Sequence, residues 1–537
     1  MPIQCGFAKK EMDCFFPGLG MMGYGQSHNV VKEKATPLFA RAAAFQDEQK
    51  SIFFFINVEL AFATIAVKEA VTEKLQLALP SLNLSLANIM LVSQHTHSAP
   101  GGYSHYPLYN FTITGFQVKL FSNIVNACVE AAKEALNTLS PSKIEWGSYE
   151  IPSDQNVAFN RSMTAYARNP EVKDSSQKKS FEAIGRQMQG LNIYDHQGNL
   201  RAHLNWFGVH CTSISSYNTR IHHDNKGVAA SLLEKRKNIF AIFAQEAAGD
   251  VSPNFIWDKK IRRTRGPYED QYDNSAFNGE IQANSAEKII QKEAGHLAVD
   301  GNIKCSHAYF NLPAKAAKAA HGLGFFKGTL EGPGLPNAAA PALKLIANLA
   351  KYVRLWTNPE KHAEFFKSHG NKHILLDHRF GDIFGIPLSF WKRLPIPATA
   401  DTGDMFPLMR NGALVTLPWV PEILPFQIVH LGNVTLIGVA GEITTVASAR
   451  LKSAMQRKFP KQKIIVSSYA NAYMGYITTP EEYDDQCYEG GHCIYGRNTL
   501  PAFTEYFEEL ADGNYSNTLS NSFKFPPDEL LKRSVVG

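Results

Sequence analysis

Short apolar runs rich in Val, Ile and Phe recur along this chain and alternate with longer amphipathic stretches. Ser51 to Val58 (SIFFFINV), Asn88 to Val92, Leu204 to Val209, Asn238 to Phe243, Val434 to Val439 and Lys463 to Ser467 are such runs. Their length and lack of polar alternation read as strands buried on both faces, because a strand with one wet face shows a period of two. Ala61 to Leu79 and Phe116 to Leu136 carry helical patterns between them. Strands and helices in alternation predict an α/β (mixed α+β) fold. The expected organisation is a single large domain over 1–511, a helical insertion at about 312–372 and a short tail over 512–537.

A chain of 537 residues, 44% hydrophobic and 19% charged, can bury a large core and has an ordinary globular composition. The net charge of +5 and pI of about 8.6 are too mild to be the footprint of a nucleic-acid binder. Part of that charge is concentrated in Lys259-Lys260-Ile261-Arg262-Arg263-Thr264-Arg265, which reads as a solvated loop and also suits an anionic surface. Met1 to Gly25 lacks the basic start and apolar core of a secretory signal. Val415 to Gly441, the nearest approach to a membrane span, is broken by prolines and by Glu422, Gln427, His430 and Asn433. These features leave a cytoplasmic location or export by a non-classical route. Seven cysteines are odd and sparse for a disulfide scaffold; Cys487 and Cys493 are close enough to pair but read as two buried thiols. Ala338 to Trp356, with Lys344, Lys351 and Arg354, has a basic helical pattern that packs on the domain or touches a membrane surface.

Gly18-Leu19-Gly20-Met21-Met22-Gly23 matches the dinucleotide-binding glycine pattern in letters only. That motif needs a strand before it and a helix starting within it, whereas Pro17 precedes the first glycine and Tyr24-Gly25 follows the last. His95 and His97 carry more information. They lie just past the run ending at Val92, and an i, i+2 spacing on extended chain turns both imidazoles to one face. His210 ends the run Leu204 to Val209, Glu442 follows Val434 to Ala440, and Ser252 and Tyr476 follow two further strands. In α/β folds, ligands bind beyond the carboxyl ends of strands, and two imidazoles plus a carboxylate are a common ligand set for catalytic zinc. His222-His223-Asp224 is a competing metal candidate in a polar loop. No Gly-x-Ser-x-Gly elbow is present, so a serine α/β-hydrolase lacks its main signature.

Several strings resemble the neutral (neutral/alkaline) ceramidases: Gly20-Met21-Met22-Gly23-Tyr24-Gly25, His95-Thr96-His97-Ser98-Ala99-Pro100-Gly101-Gly102-Tyr103, and Asn160-Arg161-Ser162. His210-Cys211-Thr212-Ser213, Asp224-Asn225-Lys226-Gly227, Gly249-Asp250-Val251-Ser252-Pro253-Asn254, Gly441-Glu442, and the blocks from Tyr476 to Tyr483, Tyr488 to Gly490 and Ile494 to Gly496 follow in family order. The resemblance implies one zinc ion and hydrolysis of the N-acyl bond of ceramide to a long-chain base and a fatty acid. It implies His95, His210, Glu442 and Tyr476 as zinc ligands. His97, Arg161 and Tyr488 are then expected beside the substrate amide and polar head, with Ser252 as an essential serine that attacks the amide or orients the substrate hydroxyl. Tyr473 and Tyr483 are the neighbours most easily mistaken for these tyrosines.

The resemblance also implies ceramide or a related sphingolipid as partner, peripheral contact with a membrane, and no protein partner. Family members are usually secreted or membrane-facing. They usually carry a C-terminal immunoglobulin-like domain of about 100 residues, which the residues after Asp512-Gly513 are too few to form. The stretch from Leu312 to Lys372 departs from the family's strings. Rival readings are a metal-dependent amidohydrolase acting on another N-acyl lipid or a soluble amide, and an inactive lipid-binding homologue.

Overall fold

The structure, a computed structural model, describes residues 3–25, 28–110, 113, 115–172, 180–258, 263–293, 295–316, 382–383, 386–387, 421, 423–485, 487–516 and 519. The Ala338 to Trp356 pattern and most of 312–372 lie outside these residues.

Three mixed sheets organise the chain, and each contains one parallel pair joined by a helical crossover. The first runs in the order Ile89–Ser93, Ile52–Val58, Leu38–Gln46, Gln4–Met12, Ser140–Pro141. The second runs Phe240–Gln245, Leu200–Phe207, Gln187–Tyr194, Lys143–Glu150, His296–Val299. The third runs Ile303–Asn311, Ile423–Leu431, Val434–Gly438, Lys463–Ser467. The parallel pairs are Ile52–Val58 with Ile89–Ser93, Leu200–Phe207 with Phe240–Gln245, and Val434–Gly438 with Lys463–Ser467. Helices Ile65–Ala78, Asp224–Lys237 and Thr445–Lys458 bridge them. Within these three sheets the remaining pairing is antiparallel, through hairpin strands such as Gln4–Met12 and Gln187–Tyr194 that the apolar runs alone do not signal.

The sequence pattern has a direct cause in the packing. Along each central strand, alternate side chains enter two different cores, and both are apolar. Phe53, Phe55, Met90 and Val92 meet Leu204, Trp206 and Ile242 and also Val434, Leu436 and Ile465 in one core shared by all three sheets. Phe54, Ile56, Ile89 and Leu91 turn outward beneath the helices Ile65–Ala78 and Val118–Asn137. Ile437, Val439, Ile464 and Val466 do the same beneath Thr445–Lys458 and Thr499–Asp512. Trp206 joins the sheets: its ring lies 5.3 Å from Phe55, and its indole N–H donates to Ser467 Oγ at 3.2 Å. A polar residue at any of these positions would face protein on either side, which is why the runs are continuous. Cys487 and Cys493 are both buried and are not bonded to each other.

Candidate active site

Each sheet delivers a polar side chain from the carboxyl end of one parallel strand. His95 follows Ile89–Ser93, His210 follows Leu200–Phe207, and Glu442 follows Val434–Gly438. All three are buried. Glu442 Oε2 lies 3.1 Å from His210 Nε2 and 3.5 Å from His95 Nε2. His97 Nε2 is 3.0 Å from His95 Nε2. His95, His97 and His210 form the one group of three or more convergent metal-capable side chains among the described residues.

The surroundings fix which nitrogen faces inward. His95 Nδ1 is 2.5 Å from the Ala61 carbonyl and His210 Nδ1 is 2.5 Å from the Ala248 carbonyl. A carbonyl can only accept, so each Nδ1 carries the proton and each Nε2 directs its lone pair at the cluster. Metal-binding histidines are oriented in this way. Burial, followed by the nearby Arg161 charge, lowers the pKa of His210. Burial, followed by the neighbouring histidines, holds His97 well below its usual value. Burial alone would raise Glu442, but His95 and His210 outweigh it and keep the carboxyl well below its ordinary range. Imidazole nitrogens gathered around an ionised carboxylate form a donor set that suits a divalent cation.

The backbone is strained where it presents these groups. His95 has φ 75 and Tyr469 φ 53, and their rings stack with centroids 4.1 Å apart. His95 is held there by its N–H to the Leu60 carbonyl at 3.0 Å. Non-glycine residues in this region cost about 1–3 kcal/mol and cluster at functional sites.

The remaining sequence-picked residues gather around the same point. Tyr476 pairs in parallel register with Glu442, and its hydroxyl accepts from Arg161 Nη2 at 2.9 Å. Arg161 also donates to the Gly249 carbonyl and to Glu489 Oε1, both at 2.8 Å, and lies over the Tyr488 ring at 4.9 Å. Tyr488 meets Tyr476 edge-on at 5.6 Å. Ser252 is fully buried on a short strand pairing with Phe159, and its Oγ accepts the Asn254 N–H at 3.0 Å. Its neighbour Val251 accepts the His210 backbone N–H at 3.0 Å.

The sequence reading missed several members of this site. Tyr473 and Tyr469 donate from their hydroxyls to the two oxygens of Glu442. Glu489 receives both Arg161 and, at 2.5 Å, the Ser162 hydroxyl. The rule that drew attention to Tyr476, position after a strand end, applies equally to Tyr469 and Tyr473. His222 and His223 are buried beside the site and support it: Thr96 Oγ1 donates to the His222 carbonyl at 2.8 Å, and Gln94 Nε2 donates to the His223 carbonyl at 2.5 Å. Burial lowers both imidazoles to about 3.

The glycine-rich loop has a role unrelated to nucleotides. A Cβ on Gly23, which has φ +123, would stand 2.4 Å from His97 Cγ. Tyr24 meets the same imidazole edge-on at 4.6 Å. Gly23→Ala is therefore expected to displace His97, lowering kcat/KM by about 10²-fold and stability by about 1–3 kcal/mol. Gly18→Ala is the matched control: with φ +87 and nothing within 4 Å, it pays backbone strain and leaves turnover unchanged. Steady-state kinetics and thermal unfolding of both variants check this.

Fold and site together define an α/β enzyme with a buried histidine–carboxylate centre able to hold a metal. The family model described as neutral/alkaline non-lysosomal ceramidase, N-terminal, matches residues 4–383 and 404–505. The chain belongs to the neutral/alkaline ceramidase family. The stretch from Leu312 to Lys372 falls inside the matched residues. A neutral ceramidase of Pseudomonas aeruginosa is 29% identical over 538 residues, covering 95% of this chain and 72% of that protein. Neutral ceramidase A of Dictyostelium discoideum is 28% identical, covering 94% of this chain and 72% of its own length. A solved structure described as a ceramidase complexed with C2 superposes with a TM-score of 0.76 at 26% identity, covering 98% of this chain and 78% of that one.

Proposed function

We propose that this chain hydrolyses the N-acyl amide of ceramide, adding water across the C–N bond to release a fatty acid and a long-chain base. The observation that most supports this is the buried meeting of His95, His210 and Glu442 at three strand ends, in a chain of this family. The donor set fits zinc, with His95, His210, Glu442 and Tyr476 as the residues that would hold it. When bound, zinc supplies Lewis-acid polarisation of the amide carbonyl and lowers the pKa of a water to about 7.

The protein's own groups do the rest. His97 Nδ1 is buried without a hydrogen-bond partner among the described residues, and burial holds the imidazole's pKa well below its usual value. It can therefore accept a proton and pass it to the departing amine nitrogen, a transfer worth typically 10²–10⁴-fold. Tyr488 and the Arg161 guanidinium stand on the substrate side as groups for charge developing on the carbonyl oxygen. Ser252 either attacks the amide or holds the substrate's hydroxyl.

The test is product analysis with purified protein on ceramide, on N-acyl amides lacking the long-chain base, and on a soluble amide. Release of fatty acid and long-chain base from ceramide in preference to the others is expected. Equal turnover of the soluble amide would point to a broader amidohydrolase, and failure on all three to a binding homologue.

A further inference from the structure

Glu442 reaches the histidines through Oε2, 3.1 Å from His210 Nε2 and 3.5 Å from His95 Nε2. Both nitrogens present lone pairs, and a carboxylate oxygen only accepts, so neither histidine holds Glu442 in that direction. The hold comes from two tyrosines. Tyr469 donates its hydroxyl to Oε2 at 3.2 Å, and Tyr473 donates to Oε1. A single donor would leave the carboxylate free to turn about its bond; one on each oxygen fixes its plane. Metal-ligating carboxylates are oriented by such outer hydrogen bonds. The tyrosine rings are themselves locked. Tyr473 stacks on Phe62 with centroids 4.2 Å apart and meets Tyr109 edge-on at 5.1 Å, while Tyr469 stacks on His95 at 4.1 Å.

Both tyrosines come from one short loop, and the loop has an anchor at its middle. Ala470 N–H donates to the Val439 carbonyl at 2.9 Å and Met474 N–H to the Ala440 carbonyl at 3.0 Å, which ties the loop to the backbone leading into Glu442. On its other side, Asn471 engages both backbone groups of Leu91. Its N–H donates to the Leu91 carbonyl at 2.7 Å, and its Oδ1 accepts the Leu91 N–H at 3.0 Å. Leu91 lies on Ile89–Ser93, the edge strand of the first sheet and the one that leads to His95. Asn471 Nδ2 donates to Gln427 Oε1 at 2.7 Å, an oxygen that also accepts from Lys68 Nζ at 3.2 Å. Gln427 Nε2 in turn donates to the Ala87 carbonyl at 2.8 Å and the Ile89 carbonyl at 3.2 Å. Asn471, Gln427 and Lys68 are all fully buried. A buried polar network with its members paired is rigid. Asn471 also sits at φ 64, a conformation that asparagine tolerates better than most residues.

We infer that Tyr469 and Tyr473 are positioning residues that aim Glu442 Oε2 at the metal site, and that Asn471 sets them in register with the strand that delivers His95. The inference rests on the zinc site proposed above and is independent of which amide is cleaved.

Three variants test it. Tyr473→Phe keeps the ring and its stack and removes only the donor. Asn471→Gly accommodates the positive φ and removes the side-chain bridge. Asn192→Ala, which deletes the buried partner of His203 Nδ1 in the second sheet, controls for destabilisation alone. Zinc dissociation constants are measured on the metal-stripped proteins by competition with a chromogenic chelator, beside thermal unfolding without metal and turnover of ceramide. Tyr473→Phe should bind zinc about 10–100-fold more weakly than wild type, while its metal-free form unfolds no earlier than that of Asn192→Ala. Asn471→Gly should weaken zinc by a similar factor, and Asn192→Ala should bind zinc as wild type does. Wild-type zinc affinity in Tyr473→Phe overturns the tyrosine role. Wild-type affinity in Asn471→Gly, or equal losses in Asn471→Gly and Asn192→Ala, overturns the role of Asn471. If wild type binds zinc and leaves ceramide intact, the proposed substrate fails, and the zinc affinities still judge the positioning residues on their own.

Discussion

His95→Ala is expected to bring metal content to background and to abolish release of fatty acid from ceramide. The loss should exceed the roughly 10–100-fold that removal of an outer-shell partner costs, because the residue presents its Nε2 lone pair to the centre of the site. That geometry is built at some expense. The residue sits at φ 75, its Nδ1 is committed to the Ala61 carbonyl and its ring is stacked on Tyr469. Alanine removes the imidazole and leaves the backbone conformation as costly as before, so the folded protein should persist while the metal does not. His97→Ala separates two ligand sets. The three histidines converge closely enough that all three could hold the ion. The family resemblance instead assigns His97 to the substrate and Glu442 with Tyr476 to the metal. On the second account His97→Ala keeps its metal and loses turnover. On the first, it loses both. Metal analysis of the purified variants, beside kinetics, decides between them.

The second large effect is expected at Glu489→Gln. The Arg161–Glu489 pair is almost closed to solvent, with side chains 6% and 3% exposed. Removing one partner of a buried pair typically costs about 3–5 kcal/mol, because the other charge is left uncompensated. Here the orphaned group is the guanidinium that holds the Tyr476 hydroxyl and the Gly249 carbonyl. The variant should therefore unfold at a lower temperature and lose turnover together, and Arg161→Lys should fail to restore either, since an ammonium cannot reproduce the planar fork. Glu171→Gln provides the contrast. Its partner Arg450 is 28% exposed and Glu171 is 45% exposed. Such a pair is worth about 0–1 kcal/mol, so little change is expected. Thermal unfolding and steady-state kinetics on these variants check both halves.

The central strands and the polar groups that meet at their ends could be read from the sequence because each left a local mark. A strand buried on both faces is a continuous apolar run, and polar residues within a few positions of its carboxyl end lie where an α/β fold opens. His95, His210 and Glu442 all obey that rule, and the structure brings them within 3.1–3.5 Å. The antiparallel strands left weaker marks. Gln4–Met12 contains Lys9, Lys10 and Glu11. Gln187–Tyr194 contains Gln189 and Asn192, both buried. Polar side chains at those positions hide the apolar pattern. Glu489, Tyr469 and Tyr473 were out of reach for a different reason: their value comes from partners far away in sequence. Nothing near Glu489 announces Arg161, 328 residues earlier. Gly23 belonged to a noticed motif, but its purpose is steric, and no spacing rule relates a glycine to an imidazole over seventy residues on. His222 and His223 carried the reverse lesson, since adjacent histidines drew attention as ligands and serve instead through their backbone carbonyls.

The most direct test of the account is metal dependence. The purified protein is assayed for fatty acid release from ceramide as isolated, after chelation and dialysis, and after zinc is returned, with metal content measured at each stage. The account predicts about one zinc per chain, turnover that disappears with it, and recovery when zinc is restored. Undiminished ceramide hydrolysis by protein shown to be free of metal would contradict it.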